Sequence, residues 1–456
     1  MLHIINPAHG GVIAELPEDT HDSVIAKYRA ARAAQPRWAA TPISERLAAI
    51  GRFRESVVDH LERLAAILTS EVGKPIKQSR NELNGLLGRI DFFLAQAESV
   101  LAARPVFDEG GMREVISHEP LGVIANISAW NYPYFVGSNV FVPALLAGNA
   151  VLYKPSEYAT LTGLEIGNLL HGSGIPQDVF SVLVGGGRVG IELLKEPVDG
   201  VFFTGSYPTG AKIAQAVASR MIKLQLELGG KDPTYVCEDA DPAAAAASLA
   251  DGAMYNTGQS CCSVERIYVQ RRIFDAFVAA FVREVQSFKV GDPTDEASYI
   301  GPLTRAQQVK VLQMQVADAQ AKGAKVLTGG HALDLPGGHW FAPTVLVNVN
   351  HDMAVMREES FGPIIGIQAV DDDAEAVRLM NDTDYGLTAG VYTRDEARAR
   401  AILSQVRSGS VYWNCCDRVS PRLPWSGVGH SGVGLTLSNE GISAFTRPKA
   451  WHLRSA

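Results

Sequence analysis

The chain has 456 residues and a formal net charge of −8, with 20% charged and 46% hydrophobic residues. At about 100 to 200 residues per domain, this length provides for two or three domains with a large core and excludes a small binding module. The net negative charge offers no basic surface for nucleic acid or for an anionic membrane. We therefore expect neither of these partners.

The N-terminus and the cysteines favour a cytoplasmic location. Residues 1–7 lack a basic segment followed by an apolar one, and no run reaches the roughly 18 apolar residues of a membrane span. Of the five cysteines, four form adjacent pairs, Cys261 with Cys262 and Cys415 with Cys416. An odd number and such pairs fit reduced thiols better than a disulfide framework. No spacing resembles a zinc site, so no metal is expected.

The predicted elements change character along the chain. Over residues 23–104, apolar residues recur every three to four positions, which predicts helices. From Leu121 onward, short β-rich runs alternate with helical segments, and this alternation predicts a parallel α/β architecture. The predicted strands are residues 123–127, 150–153, 179–184, 201–203 and 234–237. A second α/β stretch over residues 232–431 carries predicted helices near 274–288 and 305–323.

Two glycine-rich turns are candidates for a phosphate site. Residues 185–190 satisfy the G-x-G-x-x-G pattern after a predicted strand, but they lack an acidic residue about 20 positions further on. A tight turn between strand and helix is the alternative. Residues 203–210 follow another strand, where Ser206 could cap a helix that begins near Pro208 and leave backbone N–H groups facing an anion. Neither turn alone identifies a cofactor.

Glu227 and Cys261 each stand beside glycines, in Leu226-Glu227-Leu228-Gly229-Gly230-Lys231 and Gly258-Gln259-Ser260-Cys261. This pair suits covalent catalysis through a thioester, because sulfur attacks a carbonyl readily and a carboxylate can then activate water. The alternatives are a surface glutamate at a strand end and a buried cysteine that only packs.

Segments spread along most of the chain resemble, in order, the motifs of the aldehyde dehydrogenase superfamily. They are residues 129–133, 148–157, 203–210, 226–231, 258–261 and 358–363, followed by 381–388, 413–415, 424–427 and 431–434. The resemblance implies an α/β fold with a Rossmann-like dinucleotide-binding domain, an α/β catalytic domain and a small β oligomerisation arm. The implied ranges are 1–104 with 121–227 for the first, 228–435 for the second, and 105–120 with 436–456 for the arm.

The resemblance also implies a reaction. Cys261 would be the nucleophile, and Asn131 together with the Cys261 backbone N–H would hold the oxyanion. Glu227 would be the base that hydrolyses the thioester, which favours a free acid as product over transfer to coenzyme A. The expected activity is oxidation of an aldehyde to the carboxylic acid through a thiohemiacetal and a thioester on Cys261, with reduction of NAD. Cys262 is expected to pack rather than to react.

The resemblance assigns cofactor contacts to eight residues, namely Trp130, Lys154, Ser156, Glu157, Gly205, Ser206, Glu359 and Phe361. Lys154 and Glu157 would lie against the adenosine ribose. A carboxylate at Glu157 would accept hydrogen bonds from ribose hydroxyls and repel a 2′-phosphate, so NAD is expected over NADP.

The aldehyde entrance is expected around residues 413–425, with Tyr132, Trp413, Asp417 and Arg418 as substrate contacts. An arginine there could bind the carboxylate of a semialdehyde, since a guanidinium matches that group bidentately. Aromatic faces could instead hold a betaine or aminoaldehyde cation. Solvated loop charges are the third alternative.

A homodimer or homotetramer is expected. Residues 113–118 and 443–454 resemble the oligomerisation arm of the family, and unpaired strand edges favour pairing with another chain. An intrachain hairpin is the alternative. Two other functions stay open: a catalytically silent binding protein on the same scaffold, and a thiol esterase that needs no cofactor.

Overall fold

The computed structural model describes residues 1–335 and 337–455. The chain begins with a β-hairpin of β1 (Leu2–Ile5) and β2 (Val12–Leu16). The next elements are the helices α1 (His21–Ala40), α2 (Ile43–Asp59), α3 (Leu61–Val72) and α4 (Ile76–Leu101). Ile50, Phe53 and Val57 of α2, at helical spacing, are fully buried. This confirms the helical prediction for the N-terminal region.

The first large sheet is built from strands that follow α4 and the arm. Its strands are β5 (Val123–Ile127), β6 (Ala150–Lys154), β7 (Phe180–Val182), β8 (Gly200–Thr204), β9 (Lys223–Glu227) and β17 (Gly432–Val433). Their order is β17-β9-β8-β5-β6-β7, parallel except where β17 meets β9. The connecting helices are α5 (Pro133–Leu146), α6 (Thr160–Gly172), α7 (Gly187–Lys195) and α8 (Tyr207–Val217).

This strand order creates a switch point between β5 and β8. The chain adds strands on one side of β5 up to β7 and then continues with β8 on the other side. In open α/β sheets, ligands bind in the crevice outside the carboxyl ends of the strands at such a point. The loops after β5 and β8 are therefore positioned for binding.

The second large sheet carries the remaining α/β elements. Its strands are β10 (Asp232–Val236), β11 (Val264–Gln270), β12 (Lys325–Thr328), β13 (Thr344–Val347), β14 (Ile364–Val370), β15 (Thr388–Tyr392) and β16 (Ser410–Trp413). Their order is β12-β13-β14-β11-β10-β15-β16, and only β12 with β13 is antiparallel among these described neighbours. The helices are α9 (Pro242–Met254), α10 (Phe274–Ser287), α11 (Ala306–Ala321), α12 (Ala354–Arg357), α13 (Asp373–Asn381) and α14 (Glu396–Leu403). The last helix, α15 (Ser438–Ser443), packs instead against α4 and α5.

The third sheet, which we call the arm sheet, consists of β3 (Arg104–Glu109), β4 (Met112–Pro120) and β18 (Thr446–Arg454). The antiparallel order is β18-β4-β3, so the two segments predicted as arm strands pair with each other within one chain. Apolar side chains of this sheet remain exposed, among them Phe107, Trp451 and Leu453.

The predicted helices near 274–288 and 305–323 are present as α10 and α11, and each predicted strand coincides with an observed one. The strand predicted over 179–184 is shorter, at Phe180–Val182. One element crosses the expected domain boundary, because β17 pairs with β9 of the first sheet rather than with the strands of the second. Within the described residues, no helix combines the length and apolar character needed to cross a membrane.

Candidate active site

The loop after β5 separates two concave regions of the molecule. A cavity of about 860 Å³ contains Tyr132 in its wall, and a cleft of about 890 Å³ is lined by Ser128, Ala129 and Trp130. Asn131 lies between them and is buried. Because this loop stands at the switch point of the first sheet, both regions lie where an α/β sheet binds ligands.

Cys261 lines the cavity at the end of a tight turn that precedes β11. Asn256, Thr257 and Gly258 all have positive φ in this turn. At Gly258 the φ is +68°, and an added Cβ would stand 2.3 Å from the carbonyl oxygen of Gly362. Only glycine therefore fits there, which accounts for the glycine three residues before the thiol.

Glu227 lines the same cavity from the carboxyl end of β9. Its Oε1 accepts hydrogen bonds from Gln225 Nε2 at 2.8 Å and from the Thr436 hydroxyl. Burial raises the pKa of Glu227 to about 7, although the two hydrogen bonds and the positive charge of Arg89 act in the opposite direction. A carboxyl group with a pKa near the working pH is suited to act as a general base.

Asn131 is held against the loop that carries Cys261. Its Nδ2 donates to the carbonyl of Gln259 at 3.2 Å, and Asn256 Nδ2 donates to the carbonyls of Asn131 and Gln259, both at 3.1 Å. The structure thus brings Asn131 and Cys261 together through Gln259. The amide of Asn131 is committed to a backbone carbonyl here rather than directed into the cavity.

Cys262, which follows Cys261 in the chain, is buried and contacts Asp417. Its thiol donates to Asp417 Oδ1 at 3.0 Å. Hydrogen bonding with Cys261, burial and the charge of Asp417 together raise the pKa of Cys262 well above that of a free thiol. A neutral thiol is a poor nucleophile, and this supports packing as the role of Cys262.

Three of the four predicted substrate contacts meet in the cavity, namely Tyr132, Asp417 and Arg418. Burial raises the pKa of Asp417 to about 6. Trp413 does not join them, because its indole Nε1 donates to the carbonyl of Thr393 at 3.0 Å at the end of β16. The Trp413 ring is 39% exposed there. The structure therefore does not bring Trp413 into the cavity wall with the other three residues.

A buried ion pair under the cavity was missed by sequence reasoning. Lys74 Nζ contacts Glu82 Oε2, and both side chains are fully buried. The same ammonium lies 3.8 Å from the ring centroid of Tyr132. Glu82 also accepts the backbone N–H of Tyr134 at 2.9 Å, at the start of α5. The pair therefore connects α4 to the loop that bears Asn131 and Tyr132.

Arg89, also from α4, was missed as well. Its Nη1 donates to Asn139 Oδ1 at 2.8 Å, and its guanidinium carbon lies 3.8 Å from the ring centroid of Phe135. Burial lowers the pKa of Arg89 to about 10, so the group stays charged at neutral pH. In the sequence, Arg89 is a polar residue within a helical pattern of apolar residues. That pattern alone does not show whether such a residue faces a cavity or solvent.

In the cleft, Lys154, Ser156 and Glu157 stand together at the carboxyl end of β6. Lys154 is buried and donates to the Pro155 carbonyl at 3.0 Å, while its Nζ is 3.9 Å from Glu157 Oε2. Ser156 Oγ donates to Glu157 Oε2 at 3.4 Å. These groups fit a ribose, because the Glu157 carboxylate can accept hydrogen bonds from vicinal hydroxyls and the Lys154 ammonium can donate to them.

The glycine-rich turn after β8 also contributes to the cleft. Helix α8 begins at Tyr207 with Pro208 in its first turn, as predicted, and Gly205 lines the cleft. Ser206 is the N-cap residue, but its hydroxyl donates to Thr209 Oγ1 at 3.2 Å instead of capping the helix. Ser206 is exposed and does not line the cleft, whereas Thr209 does. The uncapped N–H groups of α8 leave a site that fits an anion such as a diphosphate.

The other glycine-rich turn, residues 185–190, leads from β7 into α7, with Gly186 at the N-cap. Gly187 and Gly190 line the cleft. This segment therefore forms a tight turn between a strand and a helix, which the sequence analysis names as the alternative to a dinucleotide-binding loop.

Glu359 and Phe361 line neither the cleft nor the cavity, and Phe361 is linked to the cleft through its contact with Trp130. Glu359 Oε1 accepts the backbone N–H of Gly230 at 3.0 Å, and burial with the neighbouring charge of Glu265 raises the pKa of Glu359 to about 8. The Phe361 ring meets the Trp130 indole edge to face at 5.5 Å. Glu265 also accepts the backbone N–H of Phe361 at 3.0 Å, which fixes this turn.

The comparisons with known proteins agree with this site. The model of the Aldehyde dehydrogenase family matches residues 1–451. The chain is 38% identical over 463 residues to 3,6-anhydro-alpha-L-galactose dehydrogenase of Streptomyces coelicolor, covering 100% of this chain and 93% of the relative.

Two solved structures extend the comparison. An NADP-dependent enzyme from E. coli has a TM-score of 0.97 and 31% identity, covering 100% of this chain and 95% of that one. Betaine aldehyde dehydrogenase from Staphylococcus aureus, in complex with NAD⁺, has a TM-score of 0.95 and 29% identity, covering 99% and 91%. The chain belongs to the aldehyde dehydrogenase family. It is an NAD(P)-dependent oxidoreductase that oxidises aldehydes, and its relatives bind NAD or NADP.

Proposed function

We propose that this enzyme oxidises its aldehyde through covalent intermediates on Cys261 and releases the free carboxylic acid by hydrolysis, with Glu227 as general base. The observation that carries the proposal is that Cys261 and Glu227 line the same cavity, with the pKa of Glu227 at about 7. A thiol and a base in one cavity are what formation and hydrolysis of a thioester require.

In the first step, the Cys261 thiol loses its proton to water, and the thiolate sulfur attacks the aldehyde carbon so that negative charge develops on the aldehyde oxygen. The Cys261 backbone N–H and Asn131 Nδ2 would stabilise this charge by donating hydrogen bonds to the oxygen. To do so, Asn131 would give up its present hydrogen bond to the Gln259 carbonyl. Each such donor is worth about 3 kcal/mol in the transition state. When bound, NAD(P) supplies the acceptor for the hydride that leaves the carbon.

The acyl group then remains as a thioester on Cys261. Glu227 would take a proton from a water molecule, the resulting hydroxide would attack the thioester carbon, and the C–S bond would break with Cys261 leaving as the thiolate. Release of the proton from Glu227 to water then restores the base. Gln225 and Thr436 hold the Glu227 carboxylate through Oε1 in this structure. Oε2 is left to receive the proton of the water.

We infer that the cofactor lies in the cleft, with Lys154, Ser156 and Glu157 at the adenosine ribose. Gly205 would border its diphosphate within the cleft, and Ser206 would reach it from just outside the cleft lining, at the N-terminus of α8. Trp130, Glu359 and Phe361 would surround the nicotinamide end. The support is the donor set of the cleft, the free N-terminus of α8 and the contact between Trp130 and Phe361.

Glu157 supports a preference for NAD over NADP, because its carboxylate would repel a 2′-phosphate. The kcat/KM of the enzyme should therefore be higher with NAD. Glu157→Gln should raise the kcat/KM for NADP relative to NAD, whereas Glu119→Gln, an exposed change in the arm sheet, should leave the ratio unchanged. Equal or better efficiency of the native enzyme with NADP would reject the preference.

The proposed reaction is tested by product analysis. Reduced cofactor is followed by absorbance across an aldehyde panel, and the carboxylic acid is quantified without coenzyme A. One acid should form for each cofactor reduced. A requirement for coenzyme A would reject hydrolysis, and ester cleavage without any cofactor reduction would favour a thiol esterase.

We infer that the first sheet with residues 1–104 and 121–227 forms the dinucleotide-binding domain and that residues 228–435 form the catalytic domain, except for β17. Residues 105–120 and 436–456 would form the arm. Exposed apolar side chains on the arm sheet, Phe107, Trp451 and Leu453, support a homodimer or homotetramer. Exposed apolar groups on strands at a sheet edge favour burial against a second copy.

We also infer a cytoplasmic location, because all five cysteines, each within the described chain, carry free thiols. Free thiols persist in a reducing compartment. Recovery of the activity from a periplasmic or secreted fraction would contradict it.

A further inference from the structure

The wall that α4 contributes to the cavity is made of polar residues and glycines. These residues are Gln78, Asn81, Glu82, Asn84, Gly85, Gly88 and Arg89. The apolar residues of α4, such as Leu83, Leu86 and Ile90, are buried in the core on the other side of the helix. A cavity wall of this kind offers hydrogen bonds to the part of the substrate that lies away from the thiol.

Arg89 is the one cation in this wall. It is 6% exposed, and its recorded partner among the described side chains is the amide oxygen of Asn139. It makes no ion pair within residues 1–335 and 337–455. A guanidinium carries five N–H donors, so the remaining ones are available to an oxygen acceptor in the cavity that Arg89 lines.

Two aromatic rings of the same cavity, those of Tyr132 and Phe135, are already in contact with cations of the protein. The rings of Tyr132 and Phe135 stack at 5.8 Å. Lys74 Nζ lies 3.8 Å from the centroid of Tyr132, and the Arg89 guanidinium lies 3.8 Å from that of Phe135. A cationic substrate would have to compete with Lys74 and Arg89 for these two ring faces.

We propose that Arg89 determines substrate specificity by binding an oxygen acceptor, a carboxylate or a hydroxyl, that the substrate carries beyond its aldehyde carbon. The inference rests on the proposed function, in which Cys261 attacks that carbon. It deepens that function by naming the substrate class as oxygen-bearing aldehydes, and it disfavours cationic aldehydes such as betaine aldehyde.

The experiment compares the native enzyme with Arg89→Met and Arg89→Lys on four aldehydes. Succinic semialdehyde carries a carboxylate, glyceraldehyde carries hydroxyls, butanal carries neither, and betaine aldehyde carries a cation. The native kcat/KM should be highest for one of the first two and lowest for betaine aldehyde. Arg89→Met keeps packing on Phe135 but loses the donors, so KM for the preferred substrate should rise about 10- to 100-fold.

Butanal serves as the internal control because it carries no second oxygen for Arg89 to bind, so its KM should rise much less in Arg89→Met than the KM of the preferred substrate. Any change of kcat through the pKa of Glu227 should be common to all four substrates. Arg89→Lys should recover part of the KM. Arg80→Met is the matched control, because Arg80 lies on α4 but forms exposed ion pairs with Glu62 and Glu296. It should leave all four substrates unchanged.

A selective KM effect on succinic semialdehyde identifies a carboxylate ligand, and one on glyceraldehyde identifies a hydroxyl. An equal rise of KM for all substrates, no rise for any, or a native preference for butanal or betaine aldehyde would overturn the inference. The Cys261→Ala variant distinguishes a failure of the proposed chemistry from a failure of the proposed role of Arg89. If that variant retained activity, the proposed chemistry would fail, whereas the KM pattern of Arg89→Met would still decide the role of Arg89.

Discussion

Thr436 donates a hydrogen bond from its hydroxyl to the Glu227 carboxylate, although the two residues are 209 positions apart in the chain. The contact forms because β17, just before Thr436, pairs with the end of β9 and places Gly432 opposite Glu227. The hydroxyl stabilises the charged form of the carboxyl group and so opposes the burial that raises its pKa to about 7. The C-terminal segment that carries Thr436 thus lowers the pKa of the proposed base.

The pH dependence of thioester hydrolysis should report this contact. Glu227 acts as a base only when deprotonated, so the hydrolysis rate should rise with pH through about 7. Thr436→Val removes a donor to the charged form, which raises the pKa further and moves this rise to higher pH by about 0.5 to 1 unit. Single-turnover rates measured across the pH range provide the check. Thr41→Val, which changes an exposed hydroxyl, should leave the profile in place, and an unmoved profile in Thr436→Val would contradict the tuning.

Cys262 should be dispensable for the reaction but not for stability. Cys262→Ser keeps a donor for Asp417, so its kcat should stay within a few-fold of the native value. Cys262→Ala leaves the Asp417 carboxylate without the thiol donor and should lower the free energy of unfolding by about 1 to 3 kcal/mol. Urea unfolding and steady-state kinetics measure both effects. An inactive but folded Cys262→Ser would show that this thiol, rather than packing alone, takes part in the chemistry.

The ion pair of Lys74 and Glu82 should be important for stability. Lys74→Met leaves a buried carboxylate without its counter-ion, and breaking such a pair costs about 3 to 5 kcal/mol. The urea midpoint should therefore fall. In the double variant Lys74→Met, Glu82→Gln, the buried charge is gone, and part of the loss should be recovered. A double variant no more stable than Lys74→Met would argue that the uncompensated charge is not the cause.

The arm sheet should control the oligomeric state. Leu453 of β18 is 45% exposed, and burying a charge in its place against a second copy would be unfavourable. Light scattering should give a dimeric or tetrameric mass for the native enzyme and a smaller mass for Leu453→Asp. Met314→Asp, an equally drastic change of an exposed residue on α11, serves as the control. A monomeric mass for the native enzyme would refute the role of the arm.

Much of the fold could be predicted from the sequence because its parallel strands are buried runs of apolar residues. Strands β5 and β6 are examples, since every residue in them is buried. Strand β9, Lys223-Leu224-Gln225-Leu226-Glu227, alternates polar and apolar residues and was not among the predicted strands. Such alternation is typical of a half-buried strand, but here Gln225 and the proposed base on its polar side are buried as well.

The candidate site was predictable only where its residues belong to contiguous motifs. Asn131, Glu227 and Cys261 each lie in such a segment, and the structure brings all three to one region. Arg89 and Lys74 come from the region of α4, where a polar residue in a helical pattern has the same appearance whether it faces solvent or a cavity. Trp413 does not line the cavity, because proximity in sequence to Asp417 does not fix the direction of a side chain at a strand end.

The central claim is that sulfur of Cys261 carries the acyl group and that Glu227 releases it. Intact-protein mass spectrometry of Glu227→Gln, mixed with aldehyde and NAD and followed by peptide mapping, tests it most directly. Loss of the base should slow steady turnover by about 10²- to 10⁴-fold, so the acyl adduct should accumulate on Cys261 with one reduced cofactor per active site. An adduct on Cys262, or undiminished turnover with no adduct on any thiol, would contradict the account.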